Sequence, residues 1–299
     1  MGHRLPDADS FGAAIGIYRA AKTLNKKAYI VIDNPTSSII PLMNTFRDDQ
    51  DYEADMFVNN HEAKEIMDDN TLLVVVDTNK PSITQCEDLL YMAKMIVVLD
   101  HHRQGSDTIR NSVLSYIEPY ASSASEMVAE ILQYFTEGIR IRNVEADSIY
   151  AGIMIDTDNF MQKTGVRTFE AAAFLRRCGA DVTRVRKLFR EDMNDYKARG
   201  ETIRNAELFR GQFAISECPS DYVDSPTVVG AQAANELLNI VGVKASFVLT
   251  EYKGVIYISA RAIDEVNVQI IMERMGGGGH LNMAGCQLET VDLEGARSS

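Results

Sequence analysis

The sequence predicts an α/β protein in which a parallel-sheet domain is followed by a smaller α+β domain. Residues 28–32, Leu72–Val76 and 95–99 are short apolar runs rich in β-branched residues, as expected of parallel strands buried on both faces. Helical periodicity fills the stretches between them, as parallel crossovers require. After about residue 207 the pattern changes to strands that include a tight hairpin at Lys253-Gly254.

In chain order, Asp9 or Ser10 is placed to cap a helix that runs through Phe11 and Tyr18 to about Leu24. The three strand runs follow. Ser123-Ala124-Ser125-Glu126 has the form of a capping box, opening a helix expected to stop at Gly138. Between Leu188 and Glu207 the chain turns charged and strongly helical, with Glu191, Asp192, Asp195, Lys197 and Arg199 close together. A helical linker is therefore expected over 191–207, between a first domain at 1–190 and a second at 208–299. In the second, 212–216, Ala245–Tyr252 and 255–260 read as strands, and 229–241 and 266–275 as helices.

With 299 residues the chain exceeds one typical core, which agrees with two domains. A net charge of −13 disfavours nonspecific or duplex nucleic-acid binding, so any phosphate ligand must be met by local groups. Apolar runs stay well short of the roughly 18 residues that span a bilayer, and the first residues lack the pattern of a signal peptide. A cytoplasmic protein without membrane contact in this part is expected. Cys86, Cys178, Cys218 and Cys286 form no C-x-x-C pair, which argues for reduced thiols and against zinc knuckles. A chemistry-bearing motif as early as residue 3 suggests a piece of a longer chain.

Of five histidines, His101 and His102 follow the 95–99 run in Asp100-His101-His102-Arg103, where open α/β sheets gather their chemistry. His3 precedes Asp7 and Asp9 in a proline-containing loop, Asp77 ends the Leu72–Val76 run, and Asp156 also follows an apolar stretch. Each has a bland reading alone. An acid at a strand end is often a helix cap, a lone D-x-D is weak evidence, and His61 reads as a surface residue. Together, converging carboxylates would oppose folding unless cations neutralise them. Oxygen ligands mixed with imidazole suit manganese, with magnesium or cobalt as substitutes. Two such ions can share a bridging hydroxide and hold phosphoryl oxygens, which points to phosphoester hydrolysis.

Over nearly its whole length the chain resembles the DHH phosphoesterase superfamily, in the branch with a DHH-associated C-terminal domain. The segment Gly2 to Ala14, the segment Thr164 to Ala172 and the run Gly276-Gly277-Gly278-Gly279-His280 are most similar to the catalytic part of GdpP-type cyclic-di-AMP phosphodiesterases. The resemblance implies an active-site cleft between the two domains. It implies one manganese on His3, Asp7 and Asp77 and a second on Asp9, Asp77, His101 and Asp156, with Asp77 bridging. It also implies that His102 approaches the scissile phosphate and that Asp100 orients the cluster from behind. Arg103 is expected to offer a forked donor to a phosphate oxygen, while Gly276, Gly277, Gly278 and Gly279 are expected to leave room for backbone N–H groups to approach a phosphate or base, with His280 a donor to the uncleaved phosphate. Arg261, at a strand end, is a weaker candidate.

The implied reaction is hydrolysis of cyclic di-AMP to 5'-pApA by a metal-bridging hydroxide. An oligoribonuclease or pAp phosphatase acting on short linear nucleotides is the alternative, and a noncatalytic cyclic-dinucleotide sensor is a lesser one. A RecJ-like exonuclease and a family II pyrophosphatase fit less well. The resemblance further implies a homodimer. GdpP-type proteins carry two membrane helices, a PAS-like domain and a degenerate cyclase-like domain before this region. The chain is therefore expected to be their catalytic module, in bacterial cytoplasm, within a membrane-anchored protein.

Overall fold

A computed structural model describes residues 1–190, 192–263, 265–289 and 295. The chain divides into two compact units, Met1–Arg190 and Glu191–Ser299. The first contains α1 (Ala8–Thr23), β1 (Ile30–Val31), α2 (Ile40–Arg47), β2 (Phe57–Val58), α3 (Asn60–Ile66), β3 (Leu72–Val76), α4 (Asp88–Met92), β4 (Met95–Asp100), β5 (Leu114–Ile117), α5 (Ala124–Phe135), α6 (Asn143–Asp156), α7 (Val166–Arg177) and α8 (Val182–Leu188). The second contains α9 (Met193–Arg204), β6 (Glu207–Phe209), β7 (Phe213–Cys218), α10 (Pro226–Leu237), β8 (Ala245–Tyr252), β9 (Val255–Ala262), α11 (Val268–Arg274), β10 (Gly278–His280) and β11 (Met283–Leu288). Among the described residues no helix is long and apolar enough to cross a membrane.

In the first unit β3, β4 and β5 form a parallel sheet in that order, with Val76 opposite Leu99 and Asp100 opposite Ile117. The expected strand at 28–32 shortens to Ile30–Val31, which pairs in parallel with β2. Strand β5 was not foreseen. Lying at a sheet edge, with Leu114 and Ser115 exposed, it carries no apolar run to reveal it.

Helices α1, α5 and α6 pack through Phe11, Ile15, Val128, Leu132, Ile149 and Ile153. Their approach depends on glycine. A Cβ on Gly12 would lie 2.6 Å from the Ser148 carbonyl oxygen, and one on Gly152 would lie 2.1 Å from Ser125 Oγ and 3.0 Å from the Ala8 carbonyl oxygen. This contact brings the first turn of α1 to the start of α5.

Several expectations are corrected here. The cap of α1 is Asp7, not Asp9 or Ser10: Ser10 N donates to Asp7 Oδ1 at 2.9 Å, and Asp7 N donates to Ser10 Oγ at 3.1 Å. Asp9 is thereby released for other work. Helix α5 begins as expected, with Glu126 N donating to Ser123 Oγ at 3.0 Å, but Glu126 accepts from Ser122 rather than closing the box. It ends at Phe135, before Gly138, because Thr136 is already extended. Asp156, for which the sequence named only a preceding apolar stretch, is the last residue of a helix. The apolar residues before it belong to α6, which is buried on nearly every side and so shows no helical stripe.

In the second unit the strand order is β10-β11-β9-β8-β7-β6, antiparallel throughout except for the parallel β7–β8 pair joined through α10. One face carries Val229, Ala233 and Leu237 of α10, and the other carries Val268 and Met272 of α11. The charged helix α9, read from the sequence as a linker, is tied to this unit. Arg199 Nε lies 2.8 Å from Glu236 Oε1, and Ser216 Oγ donates to the Thr202 carbonyl at 2.6 Å.

Two helical glycines should therefore respond oppositely to alanine. Gly12→Ala meets immovable backbone and is expected to destabilise by about 1–3 kcal/mol. Gly200→Ala in α9, whose Cβ would meet nothing within 4 Å, should stabilise by about 0.5–1 kcal/mol. Differential scanning calorimetry of both variants checks the pair.

Candidate functional site

Asp77 is the first residue beyond β3, 2% exposed, with its N–H bonded to the Leu99 carbonyl at 2.9 Å. Its φ of 58° lies in the left-handed region, which aspartate tolerates better than most residues. The carboxylate faces two directions at once. Oδ2 is 3.2 Å from His3 Nε2, whereas Oδ1 is 3.3 Å from His101 Nε2 and 3.6 Å from His102 Nδ1. Oδ1 is buried and makes no hydrogen bond among the described residues.

On the Oδ2 side His3 also lies 3.4 Å from Asp7 Oδ2. Its backbone is pinned against residues 83–85: Arg4 N donates to the Ile83 carbonyl at 2.7 Å, Gln85 N to the Gly2 carbonyl at 2.9 Å, and Gln85 Nε2 to the His3 carbonyl at 3.2 Å. On the Oδ1 side His101 Nε2 lies 3.7 Å from Asp9 Oδ2 and 3.6 Å from Asp156 Oδ2. Asp9 is gripped by the start of α5, where Ala124 N and Ser125 N each donate to one carboxylate oxygen at 2.7 Å. Helix N-terminal N–H groups favour a negative charge there.

Asp100 stands behind this arrangement. Fully buried, it accepts from His102 N at 3.1 Å, pairs with His102 Nδ1 at 2.8 Å, and accepts from Asn79 Nδ2 at 2.5 Å. Asn79 also donates to the His102 carbonyl at 3.3 Å. The ring of His102, 55% exposed, is thus fixed through one nitrogen. Arg103 follows in an exposed loop.

Charge crowding is visible in the titration behaviour. Burial opposes protonation of the His3 ring, yet Asp7 and Asp77 together raise its pKa to about 10. His101 is raised to about 9 in the same way, against burial, by Asp77, Asp9 and Asp156. Burial, then the Asp77 and Asp156 charges, push Asp9 well above the ordinary carboxylate range, while burial and Asp77 raise Asp156 to about 6. In the absence of a cation the histidines hold protons to offset the acids.

Three donor sets lie within 4.8 Å internally: His3, Asp7 and Asp77; Asp9, His101 and Asp156; and Asp77, His101 and His102. Mixed oxygen and imidazole donors around an unpartnered buried carboxylate oxygen fit divalent cations. Every ligand expected from the sequence lies in one of these sets. Asn79, Gln85 and the Ala124–Ser125 amides were missed, and only Asn79, two residues after Asp77, left any trace in the sequence.

In the second unit the glycine run enters the β10–β11 hairpin. A Cβ on Gly277 would come within 2.1 Å of the Gly285 carbonyl oxygen, and Gly279 has φ of 147°. At Gly278 a Cβ would meet nothing within 4 Å, so there the backbone is open. A groove of about 530 Å³ beside Gly276 and Gly277 is lined by Thr227, Tyr257 and Ser259. Arg261 is held by Asn235 Oδ1 at 2.9 Å and the Ala260 carbonyl at 3.0 Å, and burial lowers its pKa. The side chain of His280 lies outside the described residues.

Comparison with known proteins matches residues 1–153 to the DHH family N-terminal domain and residues 213–298 to the DHHA1 domain. The chain is 43% identical over 302 residues to the cyclic-di-AMP phosphodiesterase GdpP of Bacillus subtilis (strain 168), covering 99% of this chain and 45% of that protein. It is 39% identical over 296 residues to the cyclic-di-AMP phosphodiesterase PdeA of Listeria monocytogenes serotype 1/2a (strain 10403S), covering 98% and 45%. The chain thus spans about half the length of these relatives. An exopolyphosphatase-related protein from Bacteroides fragilis superposes with a TM-score of 0.81 at 21% identity, over 99% of this chain and 88% of that one, a likeness of fold. With these strand ends, this acid–histidine cluster and both family domains in sequence, the chain belongs to the DHH family and carries a DHHA1 domain after its DHH domain.

Proposed function

We propose that this chain hydrolyses one phosphodiester bond of cyclic di-AMP to give 5'-pApA, with two divalent cations, manganese by preference. The observation that carries the reading is the division of Asp77, whose two oxygens face separate donor sets while Oδ1 lacks a hydrogen bond among the described residues. His3, Asp7 and Asp77 would hold one cation, and Asp9, Asp77, His101 and Asp156 the other. Bound there, such a pair supplies a nucleophile at neutral pH and neutralises phosphoryl oxygens. The substrate is supported by what the similar GdpP and PdeA proteins are named for.

The chain's own groups then have distinct tasks. His102, exposed and fixed by Asp100 through Nδ1, presents its other nitrogen to a phosphoryl oxygen. Asp100 and Asn79 are positioning residues for that ring. Arg103 adds a forked donor from the adjoining loop. The backbone at Gly276 to Gly279, open at Gly278, and His280 serve the second phosphate.

Chromatography of reactions with cyclic di-AMP, cyclic di-GMP, pApA and pAp, each with manganese and again with chelator, tests the reading. Conversion of cyclic di-AMP to accumulating pApA, abolished by chelator, is expected. Faster cleavage of pApA or pAp would reassign the chain to short linear nucleotides, and binding without turnover would make it a sensor.

Asp77→Asn keeps a residue that tolerates the left-handed backbone but removes the shared charge. It should lower kcat by at least roughly a thousandfold, equivalent to about 4 kcal/mol, without lowering the Tm. A variant that keeps metal-dependent turnover would overturn the assignment.

Cation binding must displace the protons that His3 and His101 hold with pKa values of about 10 and about 9. Affinity for manganese should therefore rise with pH between about 6 and about 9, with protons released on binding. Isothermal titration in buffers of different ionisation enthalpy measures that release, and pH-independent affinity would contradict it.

A further inference from the structure

On the sheet of the second unit, Tyr257, Ser259 and Arg261 alternate with Ile256, Ile258 and Ala260 along β9. The three aliphatic residues pack with Val268 and Met272 of α11, so the three polar ones lie on the opposite face. There α10 packs on Ala214 and Val248 of β7 and β8, and further across the face Met283 and Gln287 of β11 are exposed. In register, Gln287 lies opposite Tyr257, Gly285 opposite Ser259, and Met283 opposite Arg261. Gly285 contributes no side chain, which lowers the floor between the two outer pairs. The result is the groove of about 530 Å³, which has Thr227 at the start of α10 on one side and Gly276 and Gly277 on another.

Its lining is polar but uncommitted. The side chains of Thr227, Tyr257, Ser259 and Gln287 make no hydrogen bond among the described residues. None of the four is charged, and the acid that joins them, Glu289, repels a phosphate. The groove therefore suits a neutral, flat group with hydrogen-bonding edges. A purine base is such a group. Tyr257 offers a ring on which it can stack, and the Gln287 amide offers a donor and an acceptor side by side. Adenine presents the complementary pair at N7 and N6, whereas guanine presents two acceptors at that edge. The phosphate has its place in the same row. Arg261, held by Asn235 Oδ1 at 2.9 Å, stands about 7 Å along the strand from Ser259, and Gly278, with its open backbone, pairs with Gly285.

We propose that this groove binds an adenine base of the substrate, stacked on Tyr257 and read by Gln287, and so sets the preference for adenine over guanine. The inference rests on the phosphodiesterase reading above and names the base-selecting residues for it.

The test titrates wild type, Tyr257→Leu, Gln287→Leu and Gln287→Arg with AMP and GMP in chelator, by saturation-transfer NMR, which needs no turnover. Wild type should bind AMP roughly tenfold more tightly than GMP. Tyr257→Leu should weaken AMP binding roughly tenfold. Gln287→Leu should bring the two nucleotides level, and Gln287→Arg, whose donors suit guanine, should shift the preference towards GMP. The Tm should stay unchanged in both Gln287 variants. With manganese, the ratio of kcat/KM on cyclic di-AMP to that on cyclic di-GMP should move in the same direction. No AMP binding at millimolar concentration overturns the inference, as does equal binding of AMP and GMP by wild type. A preference that neither Gln287 variant alters, or alters only with a lower Tm, also overturns it. If the nucleotide preference follows Gln287 but manganese-loaded wild type does not cleave cyclic di-AMP, the base site stands and the substrate reading falls.

Discussion

The mutual repulsion of Asp7, Asp9, Asp77 and Asp156 is the force that the first unit has to contain. These carboxylates lie around His3 and His101, and the central one is buried with an oxygen that no donor among the described residues satisfies. Without a cation, protons on His3 and His101 offset them, as the raised pKa values of both rings show. Leaving such a group unpaired away from water is costly, so the fold must enforce the arrangement from elsewhere.

That enforcement comes from backbone more than from side chains. The start of α5 gives two N–H groups to Asp9. It can do so because Gly12 and Gly152 let α1, α5 and α6 approach closely enough to bring the first turn of α1 to that point. The hydrogen bonds between residues 2–4 and residues 83–85 fix His3. Asp77 turns sharply just beyond β3 while its N–H remains tied to β4. A change in the packing of α1 against α6 would therefore be felt at the cluster without any ligand being altered.

This division explains what could be read from the sequence. Asp77 and Asp100 were legible because apolar runs pointed to strands and the acids stood at their ends. His3, Asp7 and Asp9 were legible as a motif, although the roles of the two acids were not. Asp9 or Ser10 was read as the helix cap, but a partner 115 residues from Asp9, the Ala124 amide, claims that acid and the cap is Asp7. Asp156 was found as a residue following an apolar stretch whose kind of element stayed open, since a helix buried on nearly all sides loses the periodicity that distinguishes it from a strand. The edge strand β5 and the supporting bond from Asn79 to Asp100 depend on tertiary placement, and no local pattern announces either.

The chain's net charge of −13 places a final constraint on how it meets an anion. At a distance the protein repels phosphate, but beyond a Debye length of about 8 Å at physiological salt that field is largely screened. Recognition must then be short-ranged and local. The first unit offers histidines and a carboxylate set suited to divalent cations. The second offers Arg261, kept in place by Asn235, and a glycine run with restricted freedom. There, Gly277 has no room for a side chain and Gly279 has a conformation that disfavours one, so both are needed for the hairpin alone. At Gly276 and Gly278 the missing side chain leaves open space. A phosphate-binding role for the run therefore rests on open backbone at those two residues, and Gly277 and Gly279 serve by holding the hairpin in shape.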